Sequence, residues 1–188
     1  MNESNLNSKL RDKKIFLVGF MATGKTTIGK KLSNKLKIPF LDTDQIIENI
    51  LKMPVDQIFQ VYGENRFRIE EEKIILDCIE TNKNKGFIMS LGGGSFLNNR
   101  IRSAVKVFGV SIWLSGEINT ILHRLKNSKI KRPLLKKYDT DSKLLNLIKE
   151  RELIYCKANL KVDIVNANKE KMSSIVYKSL IKYLKSNL

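Results

Sequence analysis

The chain has 188 residues, of which 42% are hydrophobic, a length and composition that predict a single domain with a sizeable core. Its 35 basic and 19 acidic residues give a formal net charge of +16, which favours anionic partners such as nucleotides, nucleic acid or membrane surfaces without choosing among them. Two distant cysteines and a single histidine argue against a disulfide framework and a zinc site, and they fit a reducing cytoplasm. A simpler interpretation of the charge is a solvated, lysine-rich surface.

The amino terminus is polar and has no apolar core of the kind that a secretory signal needs. No apolar run elsewhere approaches the roughly 20 residues of a membrane-spanning helix. We therefore expect a cytoplasmic protein with a flexible tail at residues 1–13 and one domain at residues 14–188.

The first predicted elements form a strand, a helix and a second strand. The run IFLVG at 15–19 is typical of a strand buried on both faces of a parallel sheet. In TTIGKKLSNKL, the apolar positions Ile28, Leu32 and Leu36 recur every four residues and predict a helix with one buried stripe. The run IPFLDTD at 38–44 then predicts the second strand, which completes a β-helix-β crossover.

The same alternation continues to the end of the chain. Helical patterns are predicted at about 44–52, 54–61, 66–81, 98–107, 117–126, 141–158 and 169–186. Further strands are predicted at 87–91, 110–115 and 162–167. Strands that alternate with helices predict a three-layer α/β/α sandwich around a central, mostly parallel, five-stranded sheet.

The stretch GFMATGKTT follows the first strand and opens the first helix. Gly19, Gly24, Lys25 and Thr26 fit the G-x-x-x-x-G-K-[ST] spacing of a P-loop, which predicts the P-loop NTPase fold. Backbone N–H groups of such a loop, and those at the start of the following helix, hold phosphate oxygens. The lysine reaches the outer phosphates, and the threonine hydroxyl suits Mg²⁺. The alternative is a glycine turn whose lysine faces solvent.

Two carboxylates follow in the motif DTD at the end of the second predicted strand. Asp42 and Asp44 are two residues apart and would share a face of that strand, at the sheet edge where open α/β sheets bind ligands. One could hold the water shell of Mg²⁺ while the other accepts a proton from an attacking hydroxyl. Alternatively, Asp44 only caps the helix that follows.

Three further motifs occur in order, GENRFRIEE at 63–71, LGGGSF at 91–96 and RELIY at 151–155. Together with the P-loop and DTD, they make residues 14 to about 184 resemble the shikimate kinase family. The resemblance implies a monomeric, ATP-dependent small-molecule kinase that transfers the γ-phosphate of ATP to the 3-hydroxyl of shikimate. It also implies a mobile lid at about 126–140.

On the nucleotide side, the resemblance implies a set of residues that contact ATP. They are Gly19, Ala22, Thr23, Gly24, Lys25, Thr26, Thr27, Arg124 and Arg132. Lys25 would lie on the phosphates, and Arg124 resembles the arginine that stacks on adenine. Arg132 resembles the lid arginine that closes over the γ-phosphate, and Thr26 and Asp42 would hold Mg²⁺.

On the acceptor side, Asp44 resembles the aspartate that orients the shikimate hydroxyl and acts as general base. Arg68 and Arg151 would bind the shikimate carboxylate, with Glu71 orienting Arg68, because planar guanidinium groups bind carboxylates through parallel hydrogen bonds. Backbone of the glycine triplet Gly92, Gly93 and Gly94 would approach shikimate closely. Without the family context, an ordinary surface ion pair would be the favoured interpretation of Arg68 and Glu71.

Two positions depart from the family pattern. Ala22 stands where the loop often has a further glycine, and a positive φ there would disfavour alanine. Ile69 replaces a second arginine that frequently follows Arg68.

Two rival functions remain at this point. The nearer one is a P-loop kinase of another metabolite, such as gluconate or a nucleoside monophosphate, which would lack the two arginines and the glycine triplet. The more distant one is a non-catalytic ATP-binding or nucleic-acid-binding protein, although the sequence contains no recognition motif for nucleic acid.

Overall fold

The computed structural model describes residues 10–127, 138, 140–164 and 168–186. Within these ranges the strands are β1 (Lys14–Val18), β2 (Phe40–Asp42), β3 (Phe87–Ser90), β4 (Gly109–Gly116) and β5 (Leu160–Ile164). They form one sheet in the order β2-β3-β1-β4-β5, and each pair of neighbours is parallel. The predicted fold class is confirmed. Because all the strands are parallel, their carboxyl ends lie at the same end of the sheet.

Helices connect the strands on both faces of the sheet. They are α1 (Lys25–Leu36), α2 (Thr43–Leu51), α3 (Val55–Thr81), α4 (Asn99–Phe108), α5 (Ile118–Lys126), α6 (Asp141–Tyr155) and α7 (Lys169–Ser186). A short 3₁₀ helix covers Ser95–Leu97. None of the helices in the described ranges is long and apolar enough to cross a membrane.

Helix α3 joins two segments that the sequence predicts as separate helices. Its Gly63 has φ 77° and ψ 169°, a conformation essentially restricted to glycine, and the helix kinks there. The kink separates the first part of α3, whose Val55 N–H donates to Glu48 of α2, from the part that carries Arg68 and Glu71. The glycine therefore sets the direction in which these two side chains enter the site.

The core is divided by the sheet into two layers. Successive residues of a strand point to opposite faces, so Ile15 and Leu17 pack with helices α1 and α7, whereas Phe16 and Val18 pack with α3, α4, α5 and α6. The predicted stripe of α1 is confirmed, since Ile28, Leu32 and Leu36 are all buried in the first layer. Both faces of β1 are therefore covered by helices, which explains its uninterrupted apolar sequence.

The structure differs from the sequence prediction at several boundaries, of which three bear on the site or on the extent of the domain. Leu10 lies within the predicted tail but is fully buried, so the packed part of the chain begins before residue 14. Strand β2 ends at Asp42 and α2 begins at Thr43, so the idea that Asp42 and Asp44 share a strand face is wrong. Strand β5 begins at Leu160 and not at residue 162, and residues 165–167 lie outside the described ranges.

Candidate active site

The P-loop lies between β1 and α1, as the sequence predicts. Lys25 is the first residue of α1, and its Nζ donates to the carbonyl oxygens of Gly19 and Phe20, each at 2.9 Å. The ammonium group thus lies over its own loop, next to the N–H groups of the first helical turn, which have no partner within the helix. This arrangement concentrates donors and positive charge at one point, as binding of a polyphosphate requires.

Two residues of the loop take roles that the motif does not reveal. Thr23 is buried, and its hydroxyl donates to the carbonyl of Phe20 at 2.8 Å, so its side chain braces the loop from inside. Ala22 has φ +63°, the left-handed conformation that disfavours a residue with a Cβ. The departure at Ala22 therefore carries strain, whereas the departure at Ile69 falls on a side chain that is 61% exposed.

Thr26 and Asp42 meet at the bottom of the site. The hydroxyl of Thr26 donates to Asp42 Oδ2 at 2.7 Å, which joins the first turn of α1 to the end of β2. A hydroxyl and a carboxylate in contact offer the hard oxygen ligands that Mg²⁺ prefers. The described residues include no cluster of three acidic, histidine or cysteine side chains that could hold a metal ion, so a metal here would take its remaining ligands from phosphates and water.

Asp44 occupies the first turn of α2 and lines the same cavity as Lys25. Burial is the main reason why its pKa is raised to about 6, and the charges of Glu71 and Asp42 act in the same direction. Lys25 and Arg68 oppose the shift but do not cancel it. A carboxylate whose pKa lies closer to neutral pH is a better proton acceptor than an ordinary aspartate.

Glu71 organises the acceptor side although its carboxylate is only 1% exposed. Oε2 accepts from Arg68 Nη1 at 2.7 Å, and Oε1 accepts from the hydroxyl of Ser95 at 2.6 Å. Arg68 makes a second, longer contact with Glu64 at 3.3 Å. The carboxylate of Glu71 is buried, the Arg68 side chain is 26% exposed, and both residues line the cavity, so the pair is not an ordinary surface ion pair.

The glycine triplet lies between the P-loop and the two arginines. A Cβ built on Gly93 would be 3.6 Å from the backbone N of Met21 and 3.3 Å from Arg151 Nη1. A Cβ on Gly94 would be only 2.4 Å from Arg68 Nη2. Side chains at these positions would fill the space in which the guanidinium groups lie.

Arg151 is 5% exposed and lies on α6 beside the triplet. Its Nη1 donates to the carbonyl of Gly93 at 3.2 Å, and its guanidinium stacks 5.3 Å from the ring of Phe20. Its Nε has no hydrogen-bond partner among the described residues. A buried cationic donor without a partner is costly, so this atom indicates a place for an anionic ligand.

These groups line one cavity of about 710 Å³. The predicted site residues that line it are Ala22, Gly24, Lys25, Thr26, Thr27, Asp42, Asp44, Arg68, Gly92, Gly93, Gly94 and Arg151. Gly19 and Thr23 belong to the P-loop but do not line the cavity. Arg124 donates weakly to the carbonyl of Ala22 at 3.4 Å and does not line the cavity, and Arg132 lies outside the described residues.

Sequence reasoning missed three hydroxyl groups that hold the triplet. Thr43 donates to the carbonyl of Ser90 at 3.2 Å and accepts from the N–H of Gly92 at 3.0 Å. Ser95 donates to Glu71, and Tyr155 donates to the carbonyl of Gly93. Each directly follows or neighbours a motif residue, Thr43 inside DTD, Ser95 after the glycines and Tyr155 one turn after Arg151. Their position within or next to these motifs is the sequence signal that could have identified them.

Sequence reasoning also missed an aromatic wall of the cavity that lies next to Arg68. Phe59 and Phe67, both on α3, line the cavity, and their ring centroids are 4.7 Å apart. The aromatic wall and the arginines together suit a ligand that has both a carbon ring and a negative charge.

Comparison with known proteins decides the family. The family model described as shikimate kinase matches residues 21–184. The chain belongs to the shikimate kinase family. The prediction from the motifs, an ATP-dependent kinase of this family, is confirmed.

Individual shikimate kinases resemble the chain over almost its whole length. The enzyme of Bartonella henselae is 35% identical over 182 residues, which cover 97% of this chain and 85% of that protein. The enzyme of Mesorhizobium japonicum is 36% identical over 178 residues, covering 95% and 86%. The structure of shikimate kinase from Acinetobacter baumannii in complex with shikimate has a TM-score of 0.83 at 28% identity, covering 94% of this chain and 97% of that one.

Proposed function

We propose that this cavity transfers the γ-phosphate of ATP to the 3-hydroxyl of shikimate and yields shikimate 3-phosphate and ADP. Family membership supports the reaction. The observation that carries the assignment of the acceptor is the pair of arginines next to the glycine triplet, one held by Glu71 and the other with a buried donor that lacks a described partner. Two such groups are suited to one carboxylate, and the aromatic wall is suited to its ring.

The nucleotide would bind with its phosphates at the P-loop. Lys25 and the N–H groups at the start of α1 would hold the outer phosphates, while Thr26 and Asp42 would hold Mg²⁺. When bound, the metal neutralises charge on the phosphate oxygens. Arg132 would add a further positive charge. Arg124 would contact adenine, and its hydrogen bond to the Ala22 carbonyl places it next to the P-loop.

Asp44 would orient the acceptor hydroxyl and take its proton. The hydroxyl oxygen forms the new bond to the γ-phosphorus, the bond from that phosphorus to the bridging oxygen of ADP breaks, and the proton passes to Asp44. Phosphoryl transfer depends mainly on positioning and charge stabilisation, so a base with a pKa near 6 is sufficient. Arg68 and Arg151 would fix the ring so that the 3-hydroxyl faces the phosphate.

We further propose that the protein acts as a monomer in the cytoplasm and has no nucleic acid or membrane partner. Both cysteines, Cys78 and Cys156, are free, as suits a reducing compartment.

A coupled ADP-release assay tests the reaction. The rate of ADP release by purified protein with Mg²⁺ and ATP is measured with shikimate, quinate, gluconate or AMP as acceptor, and without an acceptor. Shikimate-dependent turnover well above every other rate is the expected result. ADP release that is independent of the acceptor, or strongest with gluconate or AMP, would overturn the acceptor assignment while leaving nucleotide binding intact.

A further inference from the structure

Two donors from one helix converge on a single carbonyl of the glycine triplet. The carbonyl oxygen of Gly93 accepts from Nη1 of Arg151 at 3.2 Å and from the hydroxyl of Tyr155. Arg151 and Tyr155 are four residues apart on α6, so their side chains lie on the same face of the helix. The helix therefore holds the triplet at one atom with one charged and one neutral group.

Tyr155 is built as a rigid support. Its side chain is 1% exposed, and its ring packs against Trp113 with centroids 6.2 Å apart. Burial raises the pKa of Tyr155 to about 12, so the hydroxyl keeps its proton and remains a donor over the whole physiological range. An aromatic side chain packed on a strand loses no further conformational freedom when it donates to Gly93.

Arg151 has one described hydrogen-bond partner and one donor that remains unused. The Gly93 carbonyl already takes one of its N–H groups, while its Nε has no described partner. If Gly93 depended on Arg151 alone, an acceptor carboxylate would have to compete with that carbonyl for the guanidinium. A second donor on the carbonyl removes this competition, since a buried carbonyl that keeps one good hydrogen bond is satisfied.

We propose that Tyr155 is a positioning residue for the acceptor. Its hydroxyl fixes the Gly93 carbonyl and the glycine triplet, and thereby leaves the guanidinium of Arg151 available to the acceptor carboxylate. This role rests on the proposed function, because it concerns the affinity for a carboxylate acceptor. It concerns neither the nucleotide nor the phosphoryl transfer itself.

Tyr155→Phe tests the proposal because it removes one hydroxyl and retains the ring against Trp113. We expect KM for shikimate to rise roughly five- to ten-fold, as for the loss of one hydrogen bond, with KM for ATP and kcat within two-fold of wild type. The dissociation constant of shikimate, measured by calorimetry, should rise by the same factor. The matched control is Tyr183→Phe. Tyr183 lies on α7, away from the cavity, and its hydroxyl accepts a hydrogen bond from Nδ2 of Asn159 at 3.3 Å.

A double variant separates positioning from a general loss of stability. If Tyr155 acts through Arg151, adding Tyr155→Phe to Arg151→Ala should change KM for shikimate less than two-fold further. The proposal would be overturned if the rise in KM for shikimate in the double variant equalled the product of the rises in the two single variants. An unchanged KM for shikimate in Tyr155→Phe would also overturn it. Equal rises in both KM values together with a lower melting temperature would show a purely structural role and would also overturn it.

The wild type distinguishes this inference from the proposed function. A wild-type protein that phosphorylates shikimate with the same KM as Tyr155→Phe overturns only the role of Tyr155. A wild-type protein that neither binds nor phosphorylates shikimate overturns the proposed function, and the inference falls with it.

Discussion

Ser95 donates its hydroxyl to Oε1 of Glu71 at 2.6 Å, and this bond joins the residue after the glycine triplet to the helix that carries Arg68. The second oxygen of the same carboxylate accepts from Arg68 at 2.7 Å. Glu71 is buried, so both of its oxygens depend on these donors instead of water. The loop and the arginine are consequently held in one fixed relation by a single carboxylate.

Ser95→Ala should therefore destabilise the protein. It leaves a buried carboxylate oxygen without its donor, which costs about 1 to 3 kcal/mol. For a chain of this size, each kcal/mol of lost stability lowers Tm by roughly 2 to 4 °C, a shift that thermal unfolding monitored by circular dichroism resolves. Ser186→Ala, at an exposed position whose hydroxyl donates to the Lys182 carbonyl, is the control. Equal Tm values for the two variants would contradict the importance of the Ser95–Glu71 bond.

Gly94→Ala should impair the acceptor site and spare the fold. Gly94 has φ −102°, which alanine adopts freely, but the new Cβ would lie 2.4 Å from Arg68 Nη2. The guanidinium must then move away from the position in which we propose that it binds a carboxylate. Loss of that contact should raise KM for shikimate roughly ten-fold or more, with an unchanged KM for ATP.

Steady-state kinetics with each substrate varied in turn measures the effect of Gly94→Ala, and Tm checks the fold. An unchanged KM for shikimate would show that Arg68 does not bind the acceptor in this position. A rise in both KM values with a lower Tm would instead indicate general distortion of the triplet.

The elements of the fold were predictable because each has a local pattern. The four-residue spacing of Ile28, Leu32 and Leu36 and the continuous apolar run of β1 follow from burial of one helix face and of both strand faces. The P-loop was predictable for a similar reason, since its chemistry is contained in eight consecutive residues. The details of the acceptor site were less accessible because they depend on contacts between distant parts of the chain.

Ser95 and Tyr155 illustrate this limit. Their hydrogen bonds span 24 and 62 residues, so no local pattern distinguishes Ser95 from a loop serine or Tyr155 from a core tyrosine. Asp44 shows a related error, since β2 ends two residues earlier than its apolar and polar pattern suggests. Leu10 escaped notice because the residues around it are polar and only tertiary packing buries it.

Arg151→Ala should weaken shikimate binding and leave ATP binding near normal. The variant removes a charge-assisted hydrogen bond, which is worth about 1.5 to 3 kcal/mol and corresponds to a roughly ten- to hundred-fold loss of affinity. Calorimetric titration with each substrate measures both affinities. Arg100→Ala is the control, since Arg100 is 76% exposed and pairs with Glu72 at the surface. Shikimate affinity equal to that of Arg100→Ala would refute the role of Arg151.

Ala22→Gly should stabilise the protein. A non-glycine residue at φ +63° costs about 1 to 2 kcal/mol, whereas glycine adds roughly 0.5 to 1 kcal/mol of entropy to the unfolded chain. The net gain of up to about 1.5 kcal/mol corresponds to a rise in Tm of at most roughly 3 to 6 °C. Ala104→Gly, within helix α4, provides a control of opposite sign and should lower Tm. A fall in Tm for both variants would show that Ala22 is unstrained.

Asp44→Asn should lower activity and raise stability, and the gain in stability should grow as pH rises from about 4 to about 6. Loss of a general base lowers kcat by roughly 100- to 10,000-fold. The pKa of Asp44 is raised from 3.8 to about 6 in the folded protein, mainly by burial. The unfolded chain therefore releases this proton at lower pH than the folded protein, and ionisation reduces the free energy of unfolding as pH rises from about 4 through 6.

The asparagine side chain cannot ionise, so the variant avoids this loss. The full difference between the two pKa values corresponds to about 3 kcal/mol, and partial exposure of Asp44 reduces the expected gain to roughly 1 to 2 kcal/mol at pH 7.5. The gain should disappear near pH 4, where the wild-type carboxyl is protonated in the folded state. Denaturant unfolding of nucleotide-free protein at both pH values measures it, with the exposed Asp163→Asn as control. A difference from wild type that is the same at both pH values would contradict burial as the cause of the raised pKa, whatever the effect on kcat.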